Sequence, residues 1–408
     1  MVTTTNSSQP WKPGGHRFSL HVENARSFLK PALALRSVDI EAPEQFAPAV
    51  GHLTGEAPEA GFGILTELYK RYPNDPRAAS FLGVLHYNAG RFDEASVHFA
   101  RAAALANGVS VYAYNEGAAL LMSRRPREAA VAFLRSLNGD ELLPAAHYWA
   151  WAAFNRLGTI NKVVTRLREA LYQDPAQASC ERLPERVDLD DVTLCVIDCK
   201  ATDLAARSMR RSMAQCRFGA AKLFTSRACN YDDIEIVAID DIASIEGYSR
   251  FVMKSLSKYI ETRYALVTQW DGYVVNAGAW SDEFLGYDYI GAKWDDDVVR
   301  DHGSPSAHNV GNGGFSLRSD MFLGAGTDPR ITKTHPEDTH MCRTYRPLLE
   351  EAYGIRYADA AIADRFSFEI VLPDNRPFGF HGSFNLACFE PDPKWMRFEF
   401  LGPNAFVD

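Results

Sequence analysis

The sequence predicts a multidomain chain, an all-α helical repeat array followed by an α/β domain, on three observations. At 408 residues the chain exceeds what one core usually fills, so more than one folding unit is expected. A 34-residue period runs through its first half: Gly83 and Gly117 stand 34 apart, as do Ala95, Ala129 and Val163, and likewise Leu65, Phe99, Phe133 and Leu167. After about residue 190 that period gives way to short β-branched runs alternating with helical segments.

Residues 1–50 begin polar and rich in Thr, Ser, Pro and Gly, then turn mixed around "RFSLHVENARSFLKPALALRSVDI" without a sustained period. A partly disordered N-terminal segment is expected there. Residues 51–176 carry the repeats. Within one unit, "AASFLGVLHYNAGRFDEASVHFARAAAL", two helical apolar patterns flank a turn at Asn88–Arg91, with small residues where helices would cross closely. These units resemble the tetratricopeptide repeat, with "YPNDP" and "YQDP" at its unit-ending turn. The resemblance covers about residues 60–175, as one trailing half-unit and three full units, and implies stacked helical hairpins with a concave face that binds a partner. The plainer alternative is that the array only supports its neighbour.

Residues 177–190 are polar, hold a proline and lack a period, which marks a linker. From residue 191 to 408 the runs "VTLCVIDCK", "AAKLFTS", "IEIVAID" and "YALVTQ" read as strands, with helices from about Asp203 and from Tyr248 to Thr262 between them. Such alternation builds a mostly parallel sheet covered by helices, with ligands at the carboxyl ends of the strands. Neither GxGxxG nor GxxxxGK[ST] is present, so the two commonest nucleotide loops are absent.

A formal net charge of −9 and a pI near 5.7 argue against nucleic acid or an anionic membrane as partner. The opening "MVTTTNSSQPWKPGG" lacks the order of a signal peptide, and no run approaches the ~18 apolar residues of a membrane span, so a cytoplasmic protein is expected. Seven cysteines without CxxC pairs read as reduced thiols, Cys195 and Cys199 inside a buried strand.

Four stretches carry chemistry. In "ALVTQWDGYVVN" Asp271 falls just past a strand's carboxyl end, where a carboxylate can hold a divalent cation and Gly272 lets it approach the backbone; a turn aspartate capping amides is the alternative. In "HNVGNGGFSLRSDMF" Asn312, Gly313 and Gly314 form a loop of minimal side chain, suited to phosphate or sugar hydroxyls or else to a structural turn, before a short strand leading into a helix. In "HPEDTHMC" Glu337 and Asp338 follow Pro336 at a helix start, where acidic residues are favoured electrostatically but can also divide the work of binding and deprotonating a hydroxyl. In "RPFGFHGSFN" His381 is either a metal or phosphate contact or a structural histidine.

Taken in this order, residues 192–385 resemble the nucleotide-sugar glycosyltransferases of the A-type fold, Rossmann-like in its alternation. More narrowly they resemble a family of glycosyltransferases marked by "QWDG", "DYIGA.W", "GNGGFSLR" and "PED". A-type enzymes carry an Asp-x-Asp triplet that holds Mn²⁺ or Mg²⁺ on the donor diphosphate. Here the triplet is Gln269, Trp270, Asp271: the second acid is present and the first is Gln. A single carboxylate holds a divalent cation less tightly, and Gln269 can instead bond ribose or a phosphate oxygen. The resemblance further implies backbone contacts from Gly313 and Gly314 to the donor sugar, Asp338 as base with Glu337 on the acceptor or the reverse, and His381 completing the metal site. Asp198, Lys200 and Thr202 in "CVIDCKATD" would face the nucleotide, with Arg318 or Lys293 as cations should no metal bind.

The implied reaction moves a hexose-type sugar from a nucleotide diphosphate, with uridine the commonest base, to an acceptor hydroxyl with inversion. The array would recruit a protein or peptide acceptor or a partner, and such arrays also form homodimers. Rival readings are a glycoside hydrolase, which also uses two acids, and a non-catalytic scaffold or adaptor with a degenerate transferase domain.

Overall fold

The computed structural model describes residues 31, 33–34, 58–140, 143–173, 185–294, 308–371, 373, 376–389 and 397–401. The expected disordered segment 1–50 falls almost wholly outside the described residues, as does most of the expected 177–190 linker. The chain divides into two compact units, one drawn from Lys12–Leu167 and Ala387–Asp408, the other from Arg168–Leu386. An N-terminal helical array is followed by a mixed α/β region.

Among the described residues seven helices form the array: α1 (Pro58–Arg71), α2 (Pro76–Asn88), α3 (Phe92–Leu105), α4 (Ser110–Met122), α5 (Pro126–Leu137), α6 (Pro144–Arg156) and α7 (Ile160–Gln173). The "YPNDP" stretch starts a helix: Asp75 accepts a hydrogen bond from the Arg77 amide and Pro76 opens α2, where its missing N–H costs nothing. The 34-residue period is a packing period. A Cβ on Gly83 would stand 2.7 Å from the Phe99 ring, and one on Gly117 2.7 Å from the Phe133 ring. In the third unit the bulk changes sides, with Trp151 in the glycine column and Leu167 in the phenylalanine column, both buried. The turns share a column too: Gly90, Arg124 and Gly158 all take left-handed backbone, with φ of 74°, 60° and 70°. Phe398, near the chain's end, packs against His147, Trp151 and Phe154.

The second unit runs β1 (Val187–Ile197), α8 (Thr202–Gln215), β2 (Cys216–Thr225), β3 (Glu235–Ala238), α9 (Ile245–Lys254), β4 (Tyr264–Thr268), β5 (Tyr273–Val274), β6 (Tyr289–Ile290), β7 (Ala292–Lys293), β8 (Val310–Gly311) and β9 (Phe315–Ser319). It continues through α10 (Asp320–Ala325), α11 (Glu337–Thr339), α12 (Arg346–Tyr353), α13 (Ala360–Phe366), β10 (Ser367–Phe368) and β11 (Gly379–Phe380). The main sheet has the order β3-β2-β1-β4-β9-β6. β1 to β4 run parallel, while β9 runs antiparallel to β4 and β6. Small sheets β10-β11-β5 and β7-β8 flank it. β4 and β9 are buried at every position, as strands covered on both faces must be. Leu194, Val196, Leu266, Phe315, Leu317, Phe366 and Phe378 form the core beneath the site.

Local details depart from the pattern reading. The helix expected over Tyr248–Thr262 begins earlier, at Ile245, because Ser244 caps it by accepting from the Gly247 amide, and it ends at Lys254 before a 3₁₀ turn at Leu256–Tyr259. After α11 the backbone widens into a π turn at His340–Thr344 before α12 resumes. Cys195, Cys199, Cys216 and Cys342 are buried free thiols and Cys229 is a half-buried one. Among the described residues no helix is long and apolar enough to cross a membrane.

Candidate active site

The sheet brings three of the four chemical stretches to one edge. Thr268, the last residue of β4, pairs with Phe315, the first of β9, so Gln269–Gly272 and Asn312–Gly314 leave the same edge side by side. β5 then pairs with β11 through Tyr273 and Phe380, and the Asp271 carbonyl accepts from the Gly382 amide at 3.1 Å. This anchors His381 beside Asp271, with its Nε2 3.5 Å from Oδ1 of Asp271 and 3.3 Å from Oε1 of Gln269.

The Glu337–Asp338 pair closes the other side. Glu337 is buried, and its Oε1 accepts from the Arg318 guanidinium at 3.3 Å, while Oε2 accepts from Ser249 at 3.4 Å. Asp338 is less buried; its Oδ2 accepts from the Gly313 amide at 3.3 Å and its Oδ1 from the Thr339 amide at 2.7 Å. Burial and then the neighbouring Asp338 push the Glu337 carboxyl above its usual range, with Arg318 opposing.

The glycines have a specific use. A Cβ on Gly313 would stand 1.8 Å from Oε1 of Glu337, and one on Gly314 would stand 2.2 Å from Nε2 of His381. The space they leave admits protein side chains, the acid and the imidazole, rather than opening bare backbone to a ligand. Gly272 likewise lets the Phe380 carbonyl approach to 2.7 Å of where its Cβ would lie. Asn312 takes left-handed backbone, φ 77°, steadied by its own Oδ1, which accepts from the Gly314 amide at 2.7 Å.

Burial alone would depress the His381 imidazole, but Asp271 and then Glu369 more than offset it and raise its pKa to about 10. Burial likewise pushes Asp271 up, yet His381 and the Ser383 hydroxyl, donating to Oδ2 at 2.5 Å, hold its carboxyl below the usual range. Oδ1 of Asp271, Oγ1 of Thr268 and Nδ2 of Asn312 are buried without a hydrogen-bond partner. Native interiors rarely leave such atoms unpaired, and here all three belong to the residues at the β4 and β9 edge.

Other expected residues are placed differently. Asp198, Lys200 and Thr202 follow β1, the parallel neighbour of β4, and so sit at the carboxyl edge. Asp198 is engaged in a turn, its Oδ1 accepting from the Lys200 and Ala201 amides, and Lys200 Nζ donates to the Ala243 carbonyl. Trp270 is buried. The two reserve cations are committed to carboxylates: Arg318 to Glu337, and Lys293 to Asp364 at 3.6 Å.

Among the described residues no three His, Cys, Asp or Glu side chains gather to hold a metal ion. What is present is a partial donor set, Asp271 Oδ1, His381 Nε2 and Gln269 Oε1, within 3.5 Å of one another through His381 and including one orphaned oxygen. A cation there would have to displace the Nε2 proton of His381 and take its remaining ligands from a bound anion.

Glu369 and Ser383 were not singled out by the sequence. The Nδ1 of His381 lies 2.9 Å from Oε1 of Glu369, a contact that fixes the ring's orientation. Parallel pairing of Phe368 with Phe380 sets up that contact by putting the next residues abreast. Ser383 lies two residues past His381, inside the quoted motif.

Comparison with known proteins adds little to this geometry. A protein-family model described as a protein of unknown function (DUF5672) matches residues 233–381. No curated protein matches the chain. Among solved structures, a mutant of the Thermobaculum terrenum O-GlcNAc transferase aligns at 15% identity and a TM-score of 0.25, over 52% of this chain and 45% of that one. Residues 233–381 thus hold every member of the site from β4 to His381.

Proposed function

We propose that this chain is a glycosyltransferase of the A-type fold, moving a sugar from a nucleotide diphosphate, in first place a uridine diphosphate sugar, to an acceptor hydroxyl with inversion. The observation that carries this reading is the meeting at one sheet edge of Asp271 and His381 with the Glu337–Asp338 pair, across the Asn312–Gly314 turn. Asp338, the more exposed acid, takes the hydroxyl proton. The resulting oxygen bonds to the anomeric carbon as the bond from that carbon to the diphosphate oxygen breaks, and the electron pair leaves with the diphosphate. Glu337, pinned by Arg318 and Ser249, positions the turn and its neighbour. Asp271 and His381 would hold Mn²⁺ or Mg²⁺, which supplies positive charge to the leaving diphosphate. The helical array recruits a protein or peptide acceptor or a partner.

A second reading, an adaptor whose α/β unit no longer transfers sugar, draws on Gln269 and on the partial metal set. Turnover of a nucleotide-sugar panel with and without Mn²⁺ separates the two, since an adaptor gives no turnover and no nucleotide binding. In the enzyme, Asp338→Asn lowers transfer by about 10²–10⁴-fold while calorimetric donor affinity stays within error. Undiminished transfer would move the base to Glu337.

A further inference from the structure

The helical array already holds a peptide. Pro31, Leu33 and Ala34 belong to no helix or strand, yet Pro31 and Ala34 are buried. Asn115, fully buried on α4, grips Ala34 with both ends of its amide: the Ala34 N–H donates to Oδ1 at 2.8 Å and Nδ2 donates to the Ala34 carbonyl at 2.8 Å. One turn of sequence earlier, the buried Tyr87 hydroxyl on α2 donates to the Pro31 carbonyl at 2.5 Å. Leu33 packs on an apolar cluster that includes Phe81, Leu85, Ala118 and Ala119.

All three of these bonds go to backbone atoms, as they would from a neighbouring strand. A side-chain amide that pairs one residue's N–H and C=O reads chain direction and register with little regard to side-chain identity. It is also a costly thing to bury in an alanine-rich helix interface unless its partners are present, since a buried amide without partners keeps its full desolvation penalty. Asn115 breaks the repeat, because the positions 34 residues before and after it are Phe81 and Trp149.

We infer that the α2–α4 face is a backbone-reading peptide site, that Pro31, Leu33 and Ala34 are its built-in occupants, and that a proline-containing apolar peptide of a partner protein competes for it. The chain's own segment supplies the chemistry of that partner: a proline carbonyl for Tyr87, an apolar side chain for the Leu33 pocket, and a small residue with a free N–H and C=O for Asn115. The inference concerns binding alone and stands independently of the transfer reaction.

The test uses the full chain and a fluorescent peptide of residues 28–38 read by anisotropy. Ala34→Pro removes the N–H that Asn115 accepts and loosens the internal occupant. The labelled peptide then binds Ala34→Pro at least about tenfold tighter than the unaltered chain, because a larger fraction of sites is open. Adding Tyr87→Phe or Asn115→Ala to Ala34→Pro reverses that gain. Tyr87→Phe deletes one hydroxyl and keeps the ring, so the test survives if Asn115→Ala fails to fold. Equal affinity for the unaltered and Ala34→Pro chains, no binding to either, or binding that ignores both Tyr87 and Asn115 overturns the inference and makes Pro31, Leu33 and Ala34 part of a fixed strap.

Discussion

Both units seat an aromatic ring in the space that a glycine leaves, and they differ in what surrounds the ring. In the array Gly83 and Gly117 admit Phe99 and Phe133, hydrocarbon against backbone, and the result is close helix packing. In the α/β unit Gly314 admits the imidazole of His381, whose two nitrogens face Glu369, Gln269 and Asp271. Two histidines repeat the contrast, His147 buried and His381 mostly so. Burial pushes His147 in the array down to about 3, a neutral ring packed against Phe398. Burial acts on His381 in the same direction, but two carboxylates overcome it and lift the ring to about 10. Close packing is common to both places; what marks the second as a site is the charge gathered with it.

Three measurements sharpen or break that contrast. Gly314→Ala sets a methyl 2.2 Å from His381 Nε2 and displaces the imidazole. The proposed sugar transfer, measured per folded molecule, then drops by about 10²-fold; wild-type transfer would reduce this glycine to a packing device like those in the array. Gly117→Ala places its methyl 2.7 Å from Phe133 and overpacks the α4–α5 contact, costing about 1–3 kcal/mol in chemical denaturation, with the transfer rate per folded molecule unchanged. A comparable effect is expected in pH. An unfolded histidine titrates near 6.5 and folded His147 near 3, so the stability its neutral form requires is complete above pH 6.5 and is lost as pH falls toward 3. Between pH 7 and pH 5 the array loses about 2 kcal/mol of unfolding free energy by urea titration followed by circular dichroism, and His147→Gln flattens the slope.

The repeat was legible because a volume recurs: a missing side chain at Gly83 and Gly117 and a ring at Phe99 and Phe133 mark the same contact twice. The third unit departs from that pattern because Trp151 and Leu167 exchange those volumes. Arg124 hid the shared turn column, since nothing in an arginine announces the left-handed backbone that Gly90 and Gly158 suggest. At the site, Asp271, the Gly313–Gly314 pair, Glu337–Asp338 and His381 stood out through glycine or acid at sharp breaks in pattern. What filled the glycine space did not, because sequence shows an absent Cβ without showing its neighbour. Glu369 was invisible for a different reason: its approach to His381 depends on a two-residue parallel pairing across an irregular connection.

The reversed strand β9 has a consequence for how such a protein can diversify. Had β9 run parallel to β4, its amino end would lie at the far side of the sheet, about 17 Å from Gln269, and Asn312–Gly314 would face away from Asp271. Reversal makes the exit of one strand and the entrance of the other neighbours, whatever length of chain joins them. Among the described residues of the intervening stretch only β6 and β7 are tied back to this edge, through their pairing with β9 and β8. Sequence changes that leave those two pairings intact keep Gln269–Gly272 and Asn312–Gly314 side by side, because the β4–β9 register alone sets their distance.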